Sequence, residues 1–180
     1  MRALYGFMRL VTRLNDWIGR GVAYLILPMF VLLMAEVLLR YVAGAPAVWT
    51  NELAQLLFGA YAVLAGGYLL AHGGHVNVDL LHARLPRRAR AAVDVLTSVL
   101  FFLFAGALLY FGVSLAIESM ETWERSQSAW NPYIWPFKLA IPVSAALLLL
   151  QGVVKLLADL LVLLGREPPP GPTGAGSGGA

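Results

Sequence analysis

Long apolar stretches alternate with short polar ones along this chain, and their lengths fit membrane crossings. The first expected span covers 21–41, and its run from Gly21 to Ala35 carries no charge. Roughly 20 predominantly apolar residues suffice for a helix to cross a bilayer. Further spans are expected at about 53–71, 91–117 and 138–164. Pro28 has no N–H to donate and should kink the first span. Ahead of it, residues 1–20 have a different rhythm. Arg2, Arg9, Arg13 and Arg20 are spaced 7, 4 and 7, which at about 100° per residue puts them on one stripe. Leu4, Phe7, Met8, Leu10, Val11, Leu14, Trp17 and Ile18 cover the other side. That division predicts a helix lying in the membrane interface. The expected fold is therefore an all-α integral membrane protein: an amphipathic interfacial helix (1–20), a four-span membrane domain (21–164) and a disordered Gly/Pro-rich tail (165–180).

The composition supports this reading. Hydrophobic residues make up 59% of the 180 and charged residues 13%, against roughly 45–50% and about 25% in soluble proteins. Cysteine is absent, which removes disulfides, thiolate metal sites and a cysteine nucleophile from consideration. The net charge of +3 comes from arginines clustered in two places, which suits an anionic membrane surface and not nucleic acid. Short loops rich in Lys and Arg face the cytoplasm. The leading segment holds four arginines, and the turn between the second and third spans holds Arg84, Arg87, Arg88 and Arg90. Loop 42–51 holds no Lys or Arg, and loop 118–137 holds Arg125. Both termini and the central turn are expected on the cytoplasmic side. The aromatic loop 118–137 and Trp49 are expected at the outer interface. Ala43-Gly44-Ala45 has the look of a cleavage site, but Glu36 and Arg40 interrupt the preceding run, and an uncleaved span is expected.

Candidate chemistry is sparse. Glu36 and Arg40 are four apart on one helix face, acid first, the better order for a pair; a structural role is expected of them. Thr50 or Asn51 can cap the second span, with Glu52 in its first turn. Ala62 and Gly66 allow close helix approach. Gln151, Lys155 and Asp159 form one polar stripe. His72, His75 and His82 all lie in or beside the central turn, with Gly73-Gly74 between the first two and only Asp79 as a nearby carboxylate. No metal site, cofactor or catalytic constellation is expected from these residues, and haem ligands would have to lie inside spans. Four spans with so few polar groups make a poor transport path on their own, which points to a subunit of something larger.

The order of several short motifs carries a resemblance. Arg40-Tyr41, then Trp49-Thr50-x-Glu52-Leu53-Ala54, then His75-Val76-x-Val78-Asp79-x-Leu81 and Leu85-Pro86 resemble the small membrane subunit of TRAP transporters (DctQ-like) over about residues 15–165. Trp130-x-Pro132, Trp135-Pro136-x-Lys138 and Leu150-Gln151-Gly152 look like a branch with a longer third loop, whose substrates include 2-oxo acids and other organic acids. The chain departs from the usual pattern at Asn51, where members often carry an acid, and at Ala71-His72, where many carry charges. The resemblance implies a bacterial inner-membrane protein without enzymatic activity. It implies a large membrane subunit (DctM-like) carrying substrate and sodium sites, a periplasmic substrate-binding protein, and a small subunit that braces the large one. A self-contained four-span channel or carrier acting as a homo-oligomer is the alternative reading, and a membrane enzyme or redox anchor a third.

From these readings Glu36, Arg40, Trp49, Glu52, His75 and Asp79 are expected at structural or subunit contacts. Arg2, Arg9, Arg13 and Arg20 are expected at the membrane surface. Arg40 and Glu52 are expected to meet at the outer boundary, and His72 and His82 to be dispensable.

Overall fold

The computed structural model describes residues 2–72 and 86–165. Among them the chain is helical: α1 (Arg2–Ala23), α2 (Ile26–Tyr41), α3 (Val48–Ala71), α4 (Arg87–Glu121), the single turn α5 (Trp135–Lys138) and α6 (Ala140–Leu163). Four helical runs are long and apolar enough to cross a membrane: Leu4–Tyr41, Val48–Ala71, Ala89–Glu121 and Trp135–Leu163. Each coincides with one of the four expected spans, the fourth ending one residue short of 164. The tail and the central turn from 73 to 85 lie outside the described residues.

α1 and α2 form one run interrupted at Tyr24 and Leu25. The cause is Pro28, whose missing N–H leaves the Tyr24 carbonyl without its i+4 donor. Leu27 N–H supplies the bond at 3.1 Å, and Tyr24 and Leu25 likewise bond three residues back, to Gly21 and Val22. The kink therefore falls one turn before the proline. α3 starts five residues ahead of the expected span (48 against 53). Its first residue follows Ala47, which has an extended backbone and no capping side chain. Thr50 and Asn51 are thus inside the helix instead of capping it. Hydrophobicity marks where the membrane is, whereas a helix continues until its backbone is turned aside.

α6 holds the centre. α1, α3, α4 and α5 all pack against it, and α2 packs against α3. Small residues let the helices approach: Ala145 is fully buried on α6, and Ala105 and Ala116 are buried on α4. The Ser144 hydroxyl donates to the Val63 carbonyl across the α3–α6 contact, and a Cβ added at Gly66 would come to 3.9 Å from Leu148 Cδ1. A Cβ would thus fit at Gly66 and Ala62 is exposed, so the close approach falls on Gly67, where a Cβ would come to 3.3 Å from Leu147 Cβ.

α1 has three faces instead of the two expected. Met8, Val11, Asn15, Gly19 and Val22 are buried, Met8 and Val11 in a cluster with Val154. Arg9, Arg13 and Arg20 are exposed on a second side, and Leu10, Leu14 and Trp17 are exposed on the third. Of the eight apolar residues read from the sequence as one surface, Met8 and Val11 are therefore inside the protein, with Leu4 packed against them.

Candidate functional site

The polar side chains of the apolar region gather at the two ends of the bundle. At the α2–α3 end, a six-residue loop (42–47) returns the chain, with Gly44 in the left-handed region (φ 63°). The return brings Glu36 beside Thr50. Arg40 donates to one Glu36 carboxylate oxygen, through Nε at 3.1 Å and through Nη2, and the Thr50 hydroxyl donates to the other. Glu36 and Thr50 are buried, while the Arg40 side chain is half exposed (53%). An intramembrane carboxylate is costly unless paired. Here its two oxygens are spent on one cation and one hydroxyl.

The loop between α4 and α5 folds over this end. Glu52 accepts from the Ser128 hydroxyl, and Trp49 and Trp130 lie with ring centroids 6.4 Å apart. An isolated antiparallel bridge joins Arg125 to Tyr133, Ser126 N–H donates to the Pro132 carbonyl at 2.9 Å, and the Arg125 guanidinium stacks 4.0 Å above the Tyr133 ring. Trp123 packs edge-on against both Tyr133 and Trp135. Trp123 and Asn131 are left-handed (φ 49° and 52°). Asparagine adopts that region readily, whereas for tryptophan it is a strain that the surrounding ring contacts must hold.

Lys138 closes the loop by donating to Glu124. That bond is the main reason the Glu124 carboxyl lies below its ordinary range. A depressed carboxylate contributes stability above its unfolded-state value and loses it as pH falls through the lower folded-state value. The loop is therefore expected to loosen below the ordinary carboxylate range, with faster proteolysis near Ser128. Glu124→Gln should loosen it at neutral pH and flatten that pH response. Unchanged proteolysis of the variant would show that the aromatic contacts alone hold the loop.

The α3–α4 end joins α1 to the bundle. Asn15, 1% exposed, donates to its own Val11 carbonyl at 3.1 Å and to Gln151 Oε1 at 3.3 Å. Its Oδ1 lies against Gly67, where any Cβ would overlap it. One residue on, Asp16 Oδ1 is 3.5 Å from His72 Nε2. The His72 ring stacks on Tyr68 at 4.1 Å between centroids, with Nδ1 3.0 Å from the Tyr68 carbonyl. A carbonyl only accepts, so Nδ1 carries the proton that faces Tyr68, and Nε2 is the nitrogen turned toward Asp16.

The expected residues thus distribute unevenly. Glu36 and Arg40 pair. Glu52 does not meet Arg40, because Glu36 occupies the guanidinium and Ser128 occupies Glu52. Trp49 packs on Trp130. His75, His82 and Asp79 lie outside the described residues, as does the Arg2 side chain. His72, expected to be dispensable, ties α3 to α1. Asn15 is the residue that sequence reasoning missed; its signal was its place on the arc shared by Met8, Val11, Gly19 and Val22, opposite the arginines.

Comparison with known proteins places this architecture. The family described as "Tripartite ATP-independent periplasmic transporters, DctQ component" matches residues 29–162. The chain is 28% identical over 106 residues to the sialic acid TRAP transporter permease protein SiaT of Haemophilus influenzae, covering 59% of this chain and 17% of that protein. It is 29% identical over 131 residues to the isethionate TRAP transporter permease protein DctMQ of Oleidesulfovibrio alaskensis, covering 69% and 20%. It is 24% identical over 130 residues to the sialic acid TRAP transporter small permease protein SiaQ of Vibrio cholerae, covering 70% and 71%. The chain thus spans a fifth or less of the first two relatives and most of the third.

Proposed function

The chain belongs to the DctQ component family of tripartite ATP-independent periplasmic transporters, and on that premise we propose that it is the small membrane subunit of a sodium-coupled importer of an organic acid. The family is a transporter permease component and not an enzyme. In the proposed assembly a large membrane subunit carries the substrate and sodium sites, and a periplasmic binding protein delivers the substrate. This chain braces the large subunit in the bacterial inner membrane. The observation that carries the reading is how a set of buried polar groups is used. Glu36 is spent on Arg40 and Thr50, Asn15 on Gln151, and Ser144 on a backbone carbonyl. These contacts hold helices to one another, as a scaffold requires, and do not line a continuous path. The names of the relatives, with sialic acid and isethionate, favour an organic anion as cargo.

Both termini and residues 73–85 face the cytoplasm in this reading. The basic stripe of α1, with Arg2, lies on the lipid headgroups, and the loop carrying Trp123 and Trp130 faces the periplasm. The exposed Arg9, Arg13 and Arg20 beside exposed Leu10 and Trp17 support the placement of α1. Because the chain has no native cysteine, Ala45→Cys and Ala129→Cys should react with an impermeant thiol reagent from outside intact cells, and Asn77→Cys should not. The role is tested by co-expression. The chain should co-purify with its large subunit, and vesicles should take up substrate only when both membrane subunits and the binding protein are present. Uptake by vesicles holding this chain alone would overturn the proposal.

A further inference from the structure

α3 keeps one face clear of the rest of the bundle. Asn51, Gln55, Phe58, Gly59, Ala62 and Leu69 are exposed along it, at intervals that hold them to one side of a helix. The bundle contacts of α3 leave from its other sides, Thr50 toward Glu36 of α2 and Val63 toward Ser144 of α6. The small residues that the sequence offers for close helix approach are thus only partly used within the chain. Ala62 is exposed, and a Cβ at Gly59 would meet nothing within 4 Å.

Depth makes Gln55 the telling residue. α3 has 24 residues, about 36 Å at 1.5 Å per residue, against a hydrocarbon core of about 30 Å. With α3 centred in that core, Gln55 lies about 7 Å inside it and Ala62 near its middle. Among the described residues the Gln55 amide has no hydrogen-bond partner. It carries donor and acceptor together, and acyl chains offer neither. A hydroxyl in such a place can turn back onto its own helix, as Ser98 does toward the Val95 carbonyl at 2.6 Å. An amide is satisfied on both atoms only by a group from outside. The exposed side chains of α2 from Ile26 to Leu38 are all apolar by contrast, a surface that lipid covers without loss.

A group that reaches Gln55 at this depth belongs to another membrane helix, because a helix carries its own backbone hydrogen bonds into the hydrocarbon. Gly59 and Ala62 give such a helix a low strip to rest on, and small residues beside a polar side chain are the usual makings of a contact between membrane helices. In two relatives the matched stretch is a fifth or less of the chain, so there this unit is joined to further permease in one polypeptide. Resting on the small-subunit reading above, we propose that this face of α3 seats a transmembrane helix of the large membrane subunit. That helix packs over Gly59 and Ala62 and supplies the hydrogen-bonding group that Gln55 lacks.

Membranes holding both subunits, with this chain tagged, test the proposal. Ala62→Trp puts bulk on the strip and should cut recovery of the large subunit about tenfold. The melting temperature of the purified variant should be unchanged, since Ala62 is exposed. Gln55→Leu should cut recovery about threefold, as for one interhelical hydrogen bond. Val37→Trp, on the apolar face of α2, should change neither measurement. Because the chain has no native cysteine, Ala62→Cys carrying a thiol-reactive photocrosslinker should yield an adduct with the large subunit above the background of the cysteine-free chain. An adduct joining two copies of this chain, or none with the large subunit, would overturn the proposal, as would undiminished recovery with Ala62→Trp. Failure of the unmodified chain to recover the large subunit would overturn the small-subunit reading itself and the proposal with it.

Discussion

Gly19→Val is expected to detach α1 from the bundle. A Cβ at this position would overlap the base of the Tyr68 ring, at Cβ, Cγ and Cδ2, so the clash is with the stem of the side chain and not its mobile tip. Tyr68 cannot yield alone, because His72 stacks on it and faces Asp16. Two effects oppose each other. Removing a helical glycine gains at most about 1 kcal/mol of propensity, and less for valine. Forcing bulk into a packed contact costs about 1–3 kcal/mol, with the lost Asp16–His72 contact in addition. The clash wins. The variant should melt several degrees lower in detergent, and protease should reach the Arg13–Arg20 stretch. Gly6→Ala is the control, since nothing lies within 4 Å of a Cβ there. An unchanged melting curve for Gly19→Val would mean that α1 does not rest on α3 through this contact.

The second large effect concerns Asn15 and Gln151, which bond at 3.3 Å while 1% and 5% exposed. Asn15→Leu is close to isosteric but strands the Gln151 amide, and Gln151→Met strands Asn15. Leaving a buried polar group unpaired costs about 1–3 kcal/mol, whereas replacing both partners by apolar groups of the same shape is close to neutral. Each single variant should therefore be clearly less stable, and the double variant should recover much of the loss. Among membrane helices such couplings average only about 0.6 kcal/mol, with a maximum near 1.7. Asn15 should sit near the upper end, because it also packs on Gly67. Additive losses in the double variant would show that the two amides act separately.

These two sites show what was legible in the sequence. The four spans could be read because crossing a bilayer imposes a length and a composition that no neighbouring residue can supply. The Glu36–Arg40 pair could be read because its partners are one helical turn apart. Asn15–Gln151 could not, with 136 positions between the partners, nor could Glu52–Ser128 with 76. Spacing along one helix says nothing about which helix will face it. The expected Arg40–Glu52 contact failed for the same reason: closeness along the chain stood in for closeness in space, and nearer partners had taken both groups. The two sides read for α1 became three because the bundle covers only one arc of its apolar residues and leaves Leu10, Leu14 and Trp17 exposed.

The central place of α6 sets an order on the making of this protein. The earlier helices leave the ribosome with limited partners: α1 and α2 find α3, but the substantial contacts of α4 are all with α5 and α6. Until α6 emerges, α4 is a lone hydrophobic rod in the bilayer, and Asn15 of α1 lacks the Gln151 side chain it bonds in the finished bundle. Of these four spans, the last to be synthesised is thus the one that completes the bundle. A nascent chain halted after α4 should remain open to membrane quality-control proteases, and one extended through Leu163 should resist them.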